Sequence, residues 1–135
     1  MLQVDQFASG IPGEYQIQRL LGQSKLGAAY LASQPAHSRQ VMITTFNLPE
    51  GISARNVEQL SLRVTEDGEA LLRLVHPQIV PLYDCGMQPG YLYLVTAFVK
   101  EASLGQYLKQ NVRFTPQQAL PIFKQLAAGL SYVHN

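Results

Sequence analysis

The chain has 135 residues, of which 47% are hydrophobic and 14% are charged, against about 25% charged residues in an average globular domain. This apolar content excludes a disordered polar tail, and the length allows one domain of ordinary size. Ten Lys and Arg against nine Asp and Glu give a net charge of +1, so we expect no charge-driven partner such as nucleic acid or an anionic membrane surface.

The first half of the chain predicts three short strands. Residues 1–14 are expected to be a lead-in, and the alternation that begins at Tyr15 indicates a strand that is interrupted at Leu21-Gly22. The strand pattern resumes over residues 28–32, a turn-forming segment follows, and the β-branched run at residues 40–46 predicts a third strand. The short connections favour an antiparallel meander.

The middle of the chain predicts a helix and two further strands. Apolar residues at steps of three and four over residues 54–74 define one helical face, and Asp67 falls on that face. Gly68 lies inside the same helix at a cost of about 1 kcal/mol relative to Ala. After the helix ends at His76-Pro77, strands are expected at residues 79–83 and 91–96, with residues 87–90 between them.

Two helices are predicted near the carboxyl end. Ser103 is placed to cap a short helix through Gln110. Thr115 followed by Pro116, with Gln118 three residues after the cap, is a stronger start signal for a helix that runs to the end of the chain. One side of that helix is apolar and consists of Ala119, Ile122, Phe123, Leu126, Leu130 and Val133.

The order of these elements and three motifs resemble a protein kinase of the bacterial Ser/Thr type. Residues 21–30 (LGQSKLGAAY) resemble the glycine-rich loop, residues 41–44 (VMIT) the strand that reads V-A-I-K, and residues 76–80 (HPQIV) the turn after helix C. The resemblance implies an α+β fold in which residues 15–99 form a kinase amino-terminal lobe with hinge. That lobe is a five-stranded antiparallel sheet with one packed helix. Residues 100–135 would begin an incomplete carboxy-terminal lobe with two helices.

The resemblance also implies a nucleotide site, whose loop departs from the family pattern. Gly22 and Gly27 match the first and third glycines, Ser24 takes the second position, and Ala29 replaces the Val that packs on adenine. Thr44 stands where the family has the lysine that holds the phosphates, and a threonine hydroxyl is neutral and too short for that role. The phosphate site is therefore expected to be degenerate.

Two further positions weaken the implied site. Asp67 falls at the position of the helix C glutamate without its expected cation, or else is a solvated acid at the edge of the helical face. Met42 replaces a small Ala above the adenine ring and is expected to fill part of the pocket. Lys25 on the loop is an alternative phosphate anchor, although an exposed loop lysine is the simpler interpretation.

The implied hinge needs only backbone groups. The resemblance assigns them to the Ala97 carbonyl and the Val99 N–H, with Thr96 at the back of the pocket. His76 is expected to make a structural hydrogen bond, and Cys85 is expected to be buried and inert.

No catalytic or metal-binding residue is predicted. The sequence shows no Ser-His-Asp, paired-carboxylate or metal-ligand spacing, and the 135 residues contain neither H-R-D nor D-F-G. We therefore expect no enzyme activity and no cofactor for the isolated chain, with ATP and Mg²⁺ bound weakly at best. The single cysteine, Cys85, and the absence of a signal-peptide or membrane-span pattern favour a cytoplasmic protein.

The sequence is compatible with three functions. The favoured one is an inactive kinase-like module, either a pseudokinase or a truncated kinase, that acts through protein contacts. The alternative is the amino-terminal part of an active ATP-dependent Ser/Thr kinase whose catalytic segments lie on a longer or a second chain, with Lys25 as phosphate anchor. A plain structural or oligomerising domain is the third. In each case the helix over residues 116–133 is the expected contact, either with a protein partner or with the rest of a kinase lobe.

Overall fold

The computed structural model describes residues 15–134, which divide into two compact units. Within the described residues, the first unit contains residues 15–73 and 81–98, and the second contains residues 74–80 and 99–134. The expected lead-in over residues 1–14 lies outside the described residues.

The first three strands form the predicted meander. They are β1 (Gln16–Gln23), β2 (Gly27–Gln34) and β3 (Arg39–Asn47), and both neighbouring pairs are antiparallel. The prediction that the first strand breaks at Leu21-Gly22 is wrong, because β1 continues to Gln23. The irregularity appears instead as two register shifts against β2, one of them between Leu20 and Gly22. An extra residue of this kind bends a strand without ending its pairing.

Helix α1 (Ala54–Leu72) begins where the sequence places it. The Ser53 hydroxyl caps it by accepting a hydrogen bond from the Asn56 N–H at 3.2 Å. The helix ends two residues earlier than predicted, since Arg73 is its carboxyl cap and residue 74 already belongs to the second unit.

Strands β4 (Leu82–Gln88) and β5 (Tyr91–Ala97) complete the sheet. The fourth strand is present but lies later than the predicted residues 79–83, and the two ranges overlap only at Leu82 and Tyr83. The first predicted residue, Ile79, instead closes a turn, in which its N–H donates to the His76 carbonyl at 3.1 Å. The sequence pattern did not predict the continuation of β4 to Gln88, because Asp84 and Gly86 are unfavourable in strands. The strand forms because it pairs with β5, and Gly86 leaves room for the Tyr93 ring that lies against it.

The strand order is β1-β2-β3-β5-β4 with every pair antiparallel, which confirms the predicted fold class. Successive side chains alternate between the two faces of a sheet. Cys85, Leu92 and Leu94 face α1. The opposite face is the more deeply buried one. Its core cluster consists of Tyr15, Tyr30, Ala32, Val41, Ile43, Tyr91, Tyr93 and Val95.

The second unit contains α2 (Leu104–Lys109) and α3 (Pro116–His134), both with the predicted starts. Ser103 and Gln106 form a reciprocal capping box at α2, and Thr115 and Gln118 form another at α3. Most of the predicted apolar side of α3 is exposed in this unit. The exposed members are Phe123, Leu126, Leu130 and Val133.

Candidate functional site

A cavity of about 290 Å³ lies beside the β1–β2 turn and brings together several residues of the implied nucleotide site. The sheet register explains this grouping, since Gly22 pairs with Ala29 and Ala29 pairs with Thr44. Ser24 and Gly27 also line the cavity. Five of the eleven predicted site residues therefore share one concave surface within the first unit.

Gly22 and Gly27 have different structural roles in the loop. A Cβ on Gly27 would overlap the Thr45 backbone carbonyl, so only glycine allows β2 to approach β3 this closely. A Cβ on Gly22 would meet nothing within 4 Å. Gly27 is thus required by the backbone packing of the turn, whereas the space beside Gly22 is open.

The cavity is electrically neutral in its described lining. Besides the five residues above, its lining consists of Gln23, Leu26, Ala28, Thr45 and Phe46. Neither Lys25 nor Asp67 lines it, and Thr44 offers only a hydroxyl. A phosphate group in this cavity would meet hydroxyl, amide and backbone groups but no cation.

Met42 lies on the same face of β3 as Thr44, two residues away, and is half-buried. It pairs with Leu31 on one side and with Thr96 on the other, and the Thr96 hydroxyl donates a hydrogen bond to the Met42 carbonyl at 3.5 Å. The thioether therefore occupies the middle of the sheet face that carries Thr44.

The predicted hinge residues fall in different units. Ala97 ends β5, and its N–H donates to the Pro81 carbonyl at 3.0 Å. Val99 belongs to the second unit and is 51% exposed.

Asp67 is exposed on α1 and lines a different cavity, of about 280 Å³, between α1 and strands β4 and β5. Arg63, one turn earlier, lines the same cavity, whose floor includes Cys85 and Leu94. Because Leu94 pairs with Thr44, Asp67 and Thr44 lie on the same side of the sheet. The structure thus puts the carboxylate on the side that the resemblance requires, but on a separate cavity.

Gly68 has a structural purpose that the sequence did not reveal. It is buried in α1, and a Cβ there would overlap the Cys85 sulfur. The missing side chain lets α1 approach β4 closely at this point. Burial, together with the nearby Asp84 carboxylate, raises the pKa of the Cys85 thiol. A thiol that stays protonated and packs against a helix backbone is a poor nucleophile. Cys85 is half-buried, so the expectation of burial holds only in part.

Lys25 is exposed and lines a third, polar cavity of about 210 Å³. Ala28, Tyr30 and Thr45 line this cavity too, and they alternate with Ala29 and Thr44 along β2 and β3. The Lys25 cavity therefore adjoins the neutral cavity, because the two share five lining residues at the β1–β2 turn: Gln23, Ser24, Gly27, Ala28 and Thr45.

The described residues include a cluster of tyrosines around a half-buried carboxylate that the sequence did not predict. Burial raises the pKa of Asp84, although its Oδ1 accepts a hydrogen bond from the Cys85 N–H at 2.8 Å. Burial and the Asp84 carboxylate raise the pKa of Tyr93 to about 12. The Arg39 guanidinium lies 3.4 Å from the centroid of the Tyr83 ring. Tyr91 and Tyr93 are two residues apart in a predicted strand, and this spacing indicates that both side chains lie on the same face of the sheet.

His76 makes the structural contact expected of it, within the second unit. Its Nδ1 accepts a hydrogen bond from the Gln78 N–H at 3.0 Å, and its ring lies 5.0 Å from that of Tyr132 on α3. The Tyr132 hydroxyl accepts the Val75 N–H at 3.1 Å, and Gly129 packs against Gln78. Residues 74–80 are thereby attached to α3.

Residues 15–134 contain no group of three or more His, Cys, Asp and Glu side chains that could hold a metal ion. Over the same residues, neither long helix is apolar enough to cross a bilayer.

Comparison with known protein families identifies the family to which this chain is similar. Residues 15–135 match the protein kinase domain family. The chain belongs to that family. Serine/threonine-protein kinase PrkC of Bacillus subtilis is 28% identical over 124 residues, which cover 92% of this chain and 18% of that protein. PknD of Mycobacterium tuberculosis is 30% identical and PLK4 of Drosophila persimilis 32%, each over 90% of this chain and over 18% and 15% of the relative.

Solved kinase structures share the fold. The kinase domain of Mycobacterium tuberculosis PknI superimposes with a TM-score of 0.75 at 25% identity, covering 94% of this chain and 50% of that one. A mutant form of the same domain gives a TM-score of 0.73 at 26% identity. The chain thus spans about half of these kinase-domain structures and under a fifth of its curated relatives.

Proposed function

We propose that this chain is a kinase-like module that is catalytically inactive by itself, as a pseudokinase or a truncated kinase, and that it acts through protein interaction. The observation that carries the proposal is the neutral cavity beside the β1–β2 turn, in which Thr44 replaces the phosphate-binding lysine of the family. The 135 residues also contain no H-R-D or D-F-G segment, and those segments supply the base and the metal ligand for phosphoryl transfer.

Nucleotide binding is expected to be weak for an electrostatic reason. A hydrogen bond to a charged group contributes about 1.5–3 kcal/mol, and a site without the lysine loses that contribution to the phosphates. This corresponds to a loss of about tenfold to a hundredfold in affinity. Met42 does not line the cavity, but it lies on the same sheet face, two residues from Thr44. The resemblance places adenine beside this position, where a thioether would take up space that the family's alanine leaves open.

The surface proposed for interaction is the exposed apolar side of α3. Phe123 is 65% exposed and Leu130 is 58% exposed. Because the chain covers about half of the PknI kinase-domain structures, we assign the remainder of a kinase carboxy-terminal lobe, on a longer or a second chain, as the occupant of this side. Monomeric proteins rarely leave an apolar patch of this kind uncovered.

The expectation of weak nucleotide binding is tested by thermal-shift measurements with ATP and Mg²⁺ on the unsubstituted chain, on Thr44→Lys and on Gln40→Lys. The unsubstituted chain is expected to gain little thermal stability, and Thr44→Lys is expected to gain more, because it restores a cation to the cavity. Gln40→Lys is the matched control, since it adds the same charge to the same face of β3 outside the cavity. A large stabilisation of the unsubstituted chain by ATP would contradict the proposal.

The alternative is the amino-terminal part of an active ATP-dependent Ser/Thr kinase whose catalytic segments lie on a longer or a second chain. Two observations favour this alternative. The relatives are Ser/Thr kinases, and the chain covers only about half of a kinase-domain structure. Finding H-R-D and D-F-G in the coding sequence that follows Asn135, with phosphotransfer by the longer product, would establish it. Loss of that phosphotransfer in Lys25→Ala would support Lys25 as the phosphate anchor.

A further inference from the structure

A cavity of about 650 Å³ lies in the first unit, where the β4–β5 turn meets the segment between β3 and α1 and the start of α1. We call it the β4–β5 turn cavity. Its volume falls within the range of about 300–1,000 Å³ that is typical of ligand sites. None of its described lining residues belongs to the neutral cavity, to the Lys25 cavity or to the cavity that Asp67 lines. It is therefore a separate concave surface.

The lining of the β4–β5 turn cavity is mostly apolar. Six of its ten described lining residues are apolar, namely Leu48, Pro49, Ile52, Val57, Met87 and Pro89. None of these six belongs to the core cluster of the sheet, and the flexible thioether of Met87 can adapt to apolar groups of different shape. An apolar surface that the core does not use is typical of an interaction site.

Hydrogen bonds hold the backbone of the cavity in place. The Leu48 N–H donates to the Gly90 carbonyl at 3.0 Å and joins the segment after β3 to the β4–β5 turn. The Ile52 N–H donates to the Pro49 carbonyl at 3.3 Å and closes the turn that leads into α1. A surface whose backbone is already fixed loses less entropy when it binds a partner.

The polar groups of the cavity indicate the chemistry of its partner. Within the described lining, Glu50 is the one charged residue, so the cavity favours a cation beside the apolar group. Glu50 is exposed, so that cation stays in solvent, as it would on a polypeptide that continues past the cavity. Gln88 is half-buried, and its amide can donate to or accept from a peptide backbone. These features favour a peptide over an enclosed small molecule.

We propose that the β4–β5 turn cavity binds a peptide segment of a partner protein, which places a bulky apolar side chain in the cavity and an adjacent lysine or arginine at Glu50. The apolar side chain supplies most of the affinity, and Glu50 selects the sign of the neighbouring charge. This contact is additional to the one proposed for α3, and it does not depend on the state of the neutral cavity.

The proposal is tested by amide chemical-shift titrations of the 135-residue chain with acetylated dipeptide amides at constant ionic strength. Acetyl-Phe-Arg amide should give saturable shifts at Ile52, Val57 and Met87. Acetyl-Phe-Glu amide should need about twofold to fivefold more ligand, because it lacks the charge that complements Glu50. Acetyl-Ala-Arg amide should need at least about tenfold more, because it lacks the bulky apolar side chain.

Two variants isolate the contribution of Glu50. Glu50→Gln should remove the preference for the arginine peptide over the glutamate peptide, while the shifts stay saturable. Glu58→Gln is the matched control and should keep that preference, because Glu58 is exposed near the start of α1 and does not line the cavity. A preference that survives in Glu50→Gln, or that is lost equally in both variants, would overturn the proposal.

Three results with the unsubstituted chain would also overturn the proposal. Shifts that do not saturate would show non-specific association. Shifts centred on Phe123 and Leu130 would show that the peptide binds to α3 instead. Binding of phenethylamine as tightly as the arginine peptide would assign the cavity to small amines, because this compound carries an apolar group and a cation but no peptide backbone.

Discussion

Replacing Gly68 by alanine should destabilise the protein, against the usual direction of that change in a helix. Glycine to alanine inside a helix ordinarily stabilises by about 1 kcal/mol. At Gly68 the new methyl group would overlap the Cys85 sulfur, and overpacking of this kind costs about 1–3 kcal/mol. The net effect expected for Gly68→Ala is therefore between about 0 and 2 kcal/mol of lost stability.

Urea unfolding followed by circular dichroism measures this effect, and a second substitution isolates its cause. In a Cys85→Ala background the sulfur is gone, so Gly68→Ala should become stabilising, with a coupling of about 1–3 kcal/mol between the two sites. Gly105→Ala in α2 is the matched control, because its Cβ would meet only the Ser103 hydroxyl oxygen, at an unstrained 3.9 Å. Stabilisation by Gly68→Ala in both backgrounds would refute the close packing of α1 on β4.

Two further predictions concern Asp84 and Tyr132. Burial raises the folded-state pKa of Asp84 above the ordinary 3.8, so its contribution to stability is present below that value and lost as the pH rises through the folded pKa. Asp84→Asn should thus melt at a higher temperature than the unsubstituted chain near neutral pH and at the same temperature at about pH 3. A difference in melting temperature that does not change with pH would contradict this. Tyr132→Phe removes the acceptor of the Val75 N–H and should cost about 0.5 kcal/mol. Faster hydrogen exchange at Val75 is the measurement, and unchanged exchange would show that this bond does not hold residues 74–80 on α3.

Much of the fold could be predicted because local signals agree with the tertiary structure. The two capping boxes, at Ser103 and at Thr115, mark both later helices correctly. The bounds of β4 could not be predicted, since Asp84 and Gly86 are unfavourable in strands and the pairing with β5 stabilises the strand there. Propensity is a local quantity, whereas sheet pairing joins residues that are distant in sequence.

The candidate site could be predicted only as a set of residues. Motif spacing identified Gly22, Gly27 and Thr44, which the sheet register places on one cavity. It could not show that Lys25 and Asp67 line two other cavities. Those placements depend on the path of the β1–β2 turn and on how α1 packs against the sheet.

The most direct test of the central claim compares the affinities of ATP with Mg²⁺ and of adenosine by isothermal titration calorimetry. If the cavity beside the β1–β2 turn lacks a phosphate anchor, the triphosphate adds little, and ATP should bind less than about tenfold more tightly than adenosine. ATP binding that is tighter than adenosine binding by about a hundredfold or more would show a working phosphate site and would contradict the account.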